Sequence, residues 1–204
     1  MKDNSKDHDK KKIMKKILKY FLVVLIALAL GIGSAFFSIN IVPRKSSIKN
    51  GAWITNPLTG SKEANMYLRA AVSLIGLFAL NKTETIYYTT FKDDDGNPLR
   101  ADCDYIIEGG DMDARWWSIT AYGEDHFLIP NDGDRYSYNM KNTERDKNGR
   151  YKIHLSTTPK KGNWLPLGDG GKFSLSLRIY NPAPNVYENM GTIQLPRIIK
   201  GVCK

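Results

Sequence analysis

The stretch "KFSLSLRIY", residues 172–180, decides the fold. Phe173, Leu175, Leu177 and Ile179 alternate with Ser174, Ser176, Arg178 and Tyr180. Successive side chains of a strand point to opposite faces, so this segment buries one face and leaves the other wetter. The same period recurs in "RWWSITAY", 115–122. There Trp117, Ile119 and Ala121 form the apolar set, and Trp116, Ser118, Thr120 and Tyr122 form a mixed one. Tyr151, Ile153 and Leu155 alternate with Lys152, His154 and Ser156, and Ala101, Cys103, Tyr105 and Ile107 share one side of "ADCDYIIEG". Several half-buried strands without regular strand–helix alternation predict a mainly β domain, an antiparallel β-sandwich rather than a doubly wound α/β fold.

Turn signals separate these strands. Asp95-Gly96 and Asn148-Gly149 mark tight connections, and "HFLIP", 126–130, reads as the partner of "RWWSITAYG" across "GEDH". Ahead of the strands, residues 63–80 form the one soluble helix expected, with Ser61 as candidate N-cap. Met66, Leu68, Ala71, Leu74, Ile75 and Phe78 make its apolar stripe. Residues 44–62, rich in turn formers and holding an isolated Trp53, read as a linker, which makes 63–204 the folded domain.

The net charge of +9 is unevenly placed. Residues 1–19 hold eight lysines against three aspartates, a surplus of five, leaving +4 for the remainder. Residues 1–12 read as a structureless charged tail. A basic cluster beside an apolar run suits a membrane surface, and no basic stripe interleaved with aromatics marks the rest of the chain, so nucleic acid is not an expected partner. From Tyr20 to Pro43 there are 24 residues without a charge. As a helix they would span about 36 Å, against a hydrocarbon core of about 30 Å. The reading is a basic cytoplasmic tail, 1–19, a single-pass transmembrane helix, 20–43, and an exported C-terminal domain, because lysines precede the span more densely than they follow it. In a bacterium this places the chain in the inner membrane with its domain in the periplasm. The alternative is a cleaved signal peptide ending near Gly33-Ser34-Ala35; either way the domain is exported.

An exported domain with two cysteines invites a Cys103–Cys203 disulfide, the alternative being a buried free thiol at Cys103. Signals for chemistry are sparse. His8 lies in the tail, and His126 and His154 lack zinc-site spacing, so neither a metal nor another cofactor is expected. "DDDGN" lacks the frame of a calcium loop, and "LGDGGKF" lacks the context of a phosphate cradle. No catalytic residue is assigned. The mixed face of the strands is the candidate ligand surface, with Trp116, Tyr122, His154, Arg178 and Tyr180 as its residues. Its bland counterpart is an outer face covered by a loop or helix.

Five separated stretches occur in order: "GAWITNPLTGS", "ARWWSITAYG", "FLIPNDGDRYS", "GNWLPLGDGGKFSLSLRIYNP" and "LPRIIKGVC". Together they resemble the domain of unknown function 1214, in its short membrane-anchored bacterial form, over roughly residues 50–204. The resemblance implies a jelly-roll-like sandwich, which in longer relatives follows a domain of unknown function numbered 1254. It supplies no catalytic residues. The resulting expectation is a membrane-anchored periplasmic module that binds a ligand, an envelope component or another protein. The rival is an envelope hydrolase using the polar face around His154 and Arg178.

Overall fold

The computed structural model describes residues 3–168 and 171–203. Of "LGDGGKF", Asp169 and Gly170 therefore lie outside the described residues, as do Met1, Lys2 and Lys204. The chain divides into two units between Val42 and Pro43.

The described residues of the first unit lie within helix α1, Asp3–Lys45. Residues 3–12, read above as structureless, are helical. Lysine is a good helix former, and a charged end extends a helix already nucleated by its apolar middle. From Lys12 to Lys45 this helix is long and apolar enough to cross a membrane. Its apolar side chains from Ile13 to Phe37 are exposed, a surface that a water-soluble helix does not carry without a cover.

The second unit is mainly β. Its strands are β1 Ile48–Asn50, β2 Trp53–Thr55, β3 Thr85–Thr90, β4 Cys103–Gly109, β5 Ala114–Gly123, β6 Ser137–Asn139, β7 Tyr151–Ser156, β8 Trp164–Pro166, β9 Phe173–Pro182 and β10 Arg197–Cys203. They form a six-stranded sheet in the order β1-β2-β3-β9-β5-β6 and a four-stranded sheet in the order β10-β4-β7-β8. All pairs are antiparallel except β7 with β8, so the second sheet is mixed and the expectation of a wholly antiparallel fold is corrected at this edge.

One apolar core joins the inner faces of both sheets. Trp117, Ile119, Leu175, Leu177, Ile179, Ile107, Ile153 and Leu155 are all fully buried, at the positions the alternation assigned inward. The Trp117 ring stacks on Tyr151 of the facing sheet at 5.0 Å, and Tyr105 meets Phe173 edge-on at 5.6 Å. Cys103 and Cys203 are disulfide-bonded across the β4–β10 ladder.

Four local readings are corrected. Residues 48–55 are strands rather than linker. Trp53 is buried in the core and its indole N–H donates to the Pro196 carbonyl at 2.7 Å, so the isolated tryptophan belongs to the fold and not to a linker. The helix after it is α2, Met66–Leu74, shorter than 63–80. Asn65, not Ser61, caps it, accepting from the Leu68 N–H at 2.9 Å, while Ser61 is spent on a turn with Glu63. Gly76, at φ 66°, and the Leu77 N–H to Val72 carbonyl bond close it in a left-handed cap that glycine adopts without strain. A further short helix, α3 Pro184–Glu188, follows β9. Third, "HFLIP" is not a strand. His126 sits at φ 66° and only a single bridge, Tyr122 to Leu128, forms, so β5 takes β6 and β9 as partners. Last, Asp95-Gly96 does form the expected tight hairpin turn, closed by an antiparallel Lys92–Pro98 bridge with Gly96 at φ 86°, but β3 and β4 beyond it belong to different sheets, so the turn carries the chain from one layer to the other.

Candidate functional site

The register aligns the outward residues of three strands into rows. Tyr87, Arg178 and Ser118 form one, Thr89, Ser176 and Thr120 the next, and Ser174 and Tyr122 a third. Over these rows lies a groove of about 450 Å³. One wall is the end of α2 and its cap, with Leu74, Ile75 and Leu77; the other is the loop 125–128, with Phe127 and Leu128; Phe91 lies beyond the end of β3. The first wall is held to the sheet through Tyr87, whose hydroxyl accepts from the Leu80 N–H at 3.1 Å.

Arg178 lies at the base. It donates from Nη2 to the Tyr122 hydroxyl at 2.6 Å and from Nη1 to Thr120 Oγ1 at 3.3 Å. Its guanidinium carbon stands 5.5 Å from the Tyr122 ring centre, a cation–π distance. Both hydrogen-bond partners are neutral. Among the described residues no carboxylate forms an ion pair with Arg178. Asp125 lines the groove, but its Oδ1 accepts the Phe127 N–H at 3.0 Å and shapes its own loop. A guanidinium has five donors in a rigid fork, so two neutral contacts leave capacity for an incoming anion.

The walls hold apolar surface that the domain does not bury. Phe127 is 73% exposed, Leu74 68% and Phe78, just beyond the groove, 95%. The stripe read from α2 as core therefore buries only Leu68 among its residues, and Met66, Leu74, Ile75 and Phe78 are exposed. Leu68 is the helix's one buried side chain, and most of its apolar stripe stays open.

The five sequence-assigned ligand residues are not one cluster. Tyr122 and Arg178 line the groove. Trp116 and Tyr180 share that outer face one row beyond it, packed edge to face at 5.2 Å. His154 is on β7, in the other sheet, and the structure does not bring it to Arg178. Period-two patterning assigns a residue to the outside of a sheet but cannot say which sheet, and that is where this grouping went wrong.

His154 lines a second cleft, of about 570 Å³, on the four-stranded sheet. Glu108, Glu144 and Asp146 share it with Arg145, Arg150, Lys152 and Lys161. Lys152 pairs with Glu108 at 2.7 Å, and Arg145 pairs with Asp111 at 2.9 Å. Asn163 is buried there and ties Glu144 to β7, donating to the Glu144 and Lys152 carbonyls at 2.8 and 2.9 Å. Among the described residues the His154 ring makes no hydrogen bond to a Ser, Asp or Glu, the contact that a nucleophile–base or base–orienter pair requires. Beneath the cleft, burial raises the Tyr151 phenol far above its ordinary range, and its hydroxyl has no protein partner.

Residues missed by sequence reasoning are the groove's walls: Leu77, Phe91, Phe127 and Leu128, with Tyr87 and Thr89 on its floor. The apolar ones were read as core or passed over because composition alone does not separate an unburied hydrophobe from a buried one.

Residues 84–184 match the family described as protein of unknown function (DUF1214). The fold is similar to the crystal structure of the VPA0106 protein from Vibrio parahaemolyticus, with a TM-score of 0.58 and 26% identity over 69% of this chain. The chain spans about a third, 36%, of that protein's length. An uncharacterised protein from Burkholderia cenocepacia aligns over 57% of this chain and 29% of its own, at 16% identity and a TM-score of 0.41. No curated protein matches.

Proposed function

We propose, from the premise that residues 84–184 are a DUF1214 domain, that this chain is a membrane-anchored binding module. Its jelly-roll-like sandwich takes a ligand in the groove on the outer face of the six-stranded sheet. The observation that carries this is Arg178, a cation without a carboxylate partner among the described residues, at the base of a groove with apolar walls. Such a groove, with few convergent polar groups, has the composition and the volume, within about 300–1,000 Å³, of small-molecule sites. Helix α1 is the anchor. The lysines ahead of its apolar stretch put the N-terminus in the cytoplasm and the domain in the periplasm of a bacterial inner membrane, where the disulfide is at home.

The test uses the full chain in nanodiscs of zwitterionic lipid with benzoate, a small apolar carboxylate, as probe. Benzoate raises the melting temperature of the wild type, since a ligand that binds the folded state stabilises it. Arg178→Gln abolishes the shift and His154→Gln retains it. A shift that survives Arg178→Gln removes the groove as the site. Resistance to carbonate extraction, with a C-terminal reporter active only as a periplasmic type, checks the anchor.

A further inference from the structure

Resting on the reading of the groove as a binding site, we propose that its ligand is a long-chain acidic amphiphile: one anionic headgroup held by Arg178 and an alkyl chain laid between the two walls. The groove pairs two features that other ligand classes do not use together. Its polar end is small. Arg178 with the Tyr122 hydroxyl and the serines Ser174 and Ser176 offers one guanidinium and a few hydroxyls, enough for one carboxylate or phosphate; Asp125 and His126 stand on the loop wall, where the Asp125 carboxylate is held by the Phe127 N–H. The lining lacks the several amide and carboxylate groups that would recognise a sugar or a peptide backbone.

The rest of the groove is alkyl-like. Leu74, Ile75, Leu77, Phe91, Phe127 and Leu128 line it. Leu74, Ile75, Phe91, Phe127 and Leu128 are exposed. Large exposed apolar side chains gathered on one face of a soluble domain mark a surface that is covered in use, and here they gather around a single cation. A small hydrophilic anion would satisfy Arg178 and leave these walls wet. A neutral hydrocarbon would cover the walls and leave the guanidinium against an apolar occupant without a counter-charge, which is costly. An acidic amphiphile satisfies both ends. Two sources share that chemistry, a free long-chain acid and an acidic phospholipid of the adjoining bilayer.

The experiment is photo-crosslinking on the full chain in zwitterionic nanodiscs, with labelled residues located by peptide mass spectrometry. The probes are palmitate with a diazirine in its chain, the matching diazirine hexadecanol, and phosphatidylglycerol with the diazirine on one acyl chain. The expected result is labelling of segments 73–77 and 127–128 by an acidic probe, at least tenfold above hexadecanol and lost to a similar degree in Arg178→Gln. Arg178→Lys, which keeps the charge, retains part of it. Phe127→Asp, at an exposed position, lowers labelling without touching the headgroup site and stands in should Arg178→Gln fold poorly. Palmitate alone labelling assigns a free acid, and phosphatidylglycerol alone assigns a membrane lipid; both uphold the class. Equal labelling by hexadecanol overturns it. If no long-chain probe labels the groove while benzoate still stabilises the wild type through Arg178, the amphiphile is wrong and the binding site stands. If both fail, the site falls as well.

Discussion

The inside and the outside of the six-stranded sheet are built from the same three strands and differ in every respect that matters for function. Inside, Trp117, Ile119, Leu175, Leu177 and Ile179 are fully buried against the second sheet. Outside, one residue along, Arg178 and Tyr122 face a groove whose apolar walls remain exposed. The inner face is satisfied by the fold itself. The outer face is not: around Arg178 several large hydrophobes remain uncovered. The outer face of the four-stranded sheet makes the same point from the other direction: there Lys152 already has Glu108, and the cleft around them sets three carboxylates, Glu108, Glu144 and Asp146, beside its cations.

The sharpest way to break this contrast is to truncate neighbours that lie on opposite sides. Trp117→Ala is expected to cost about 3–5 kcal/mol in urea unfolding, the range for deleting a large core aromatic. Trp116→Ala, which loses an edge contact with Tyr180, is expected to cost about 1 kcal/mol. Equal losses would mean that the outer tryptophan is structural too.

Next in size is the disulfide, which closes a sequence separation of 100 residues between an inward-facing Cys103 and an exposed Cys203. Replacing both cysteines by serine is expected to lower stability by about 2–4 kcal/mol, and reduction of the wild type to do the same. Unchanged unfolding would show that the core alone holds β10 in place.

A pH titration sharpens the contrast further. Burial pushes the phenols of Tyr88 and Tyr151, both inward, well above their ordinary value of 10.0. Below pH 10 both states keep these protons and the stability is fully present. Above it the unfolded chain releases them while the folded core holds them, so stability falls as pH rises from about 10 through the raised folded values. The urea midpoint should decline over that window, and less steeply in Tyr151→Phe. At neutral pH Tyr151→Phe should leave stability unchanged or raise it, because the hydroxyl it removes has no protein partner. A flat midpoint across the alkaline range would contradict the burial of these rings.

Much of the inner face was legible in the sequence, because period-two alternation in "KFSLSLRIY" and "RWWSITAY" and the paired cysteines are local statements about which way a side chain points. The groove was half legible. Arg178 and Tyr122 were found by the same alternation, yet His154 obeys it equally and belongs to another sheet, a fact set by long-range pairing. The groove's walls were illegible for a different reason. Leu74 and Phe127 look like core residues, and only the single anchor Leu68 and the positive φ of His126 leave them outside.

The smallest effects belong to the outer face itself. Phe127→Ser is expected to change unfolding free energy by no more than about 0.5 kcal/mol, as surface substitutions do, and Arg178→Gln, which gives up hydrogen bonds from a half-buried side chain, by about 1 kcal/mol. A loss of several kcal/mol from Arg178→Gln would recast the arginine as a structural tie between β9 and β5.

Hydrogen exchange of the full chain with and without benzoate tests most directly whether the groove, and not the charged cleft, is where an anion binds. Protection of segments 73–80 and 125–128 is expected in the wild type, with its loss in Arg178→Gln and unchanged exchange across 144–163. Protection centred on 144–163, or protection at the groove that persists without the guanidinium, would contradict it.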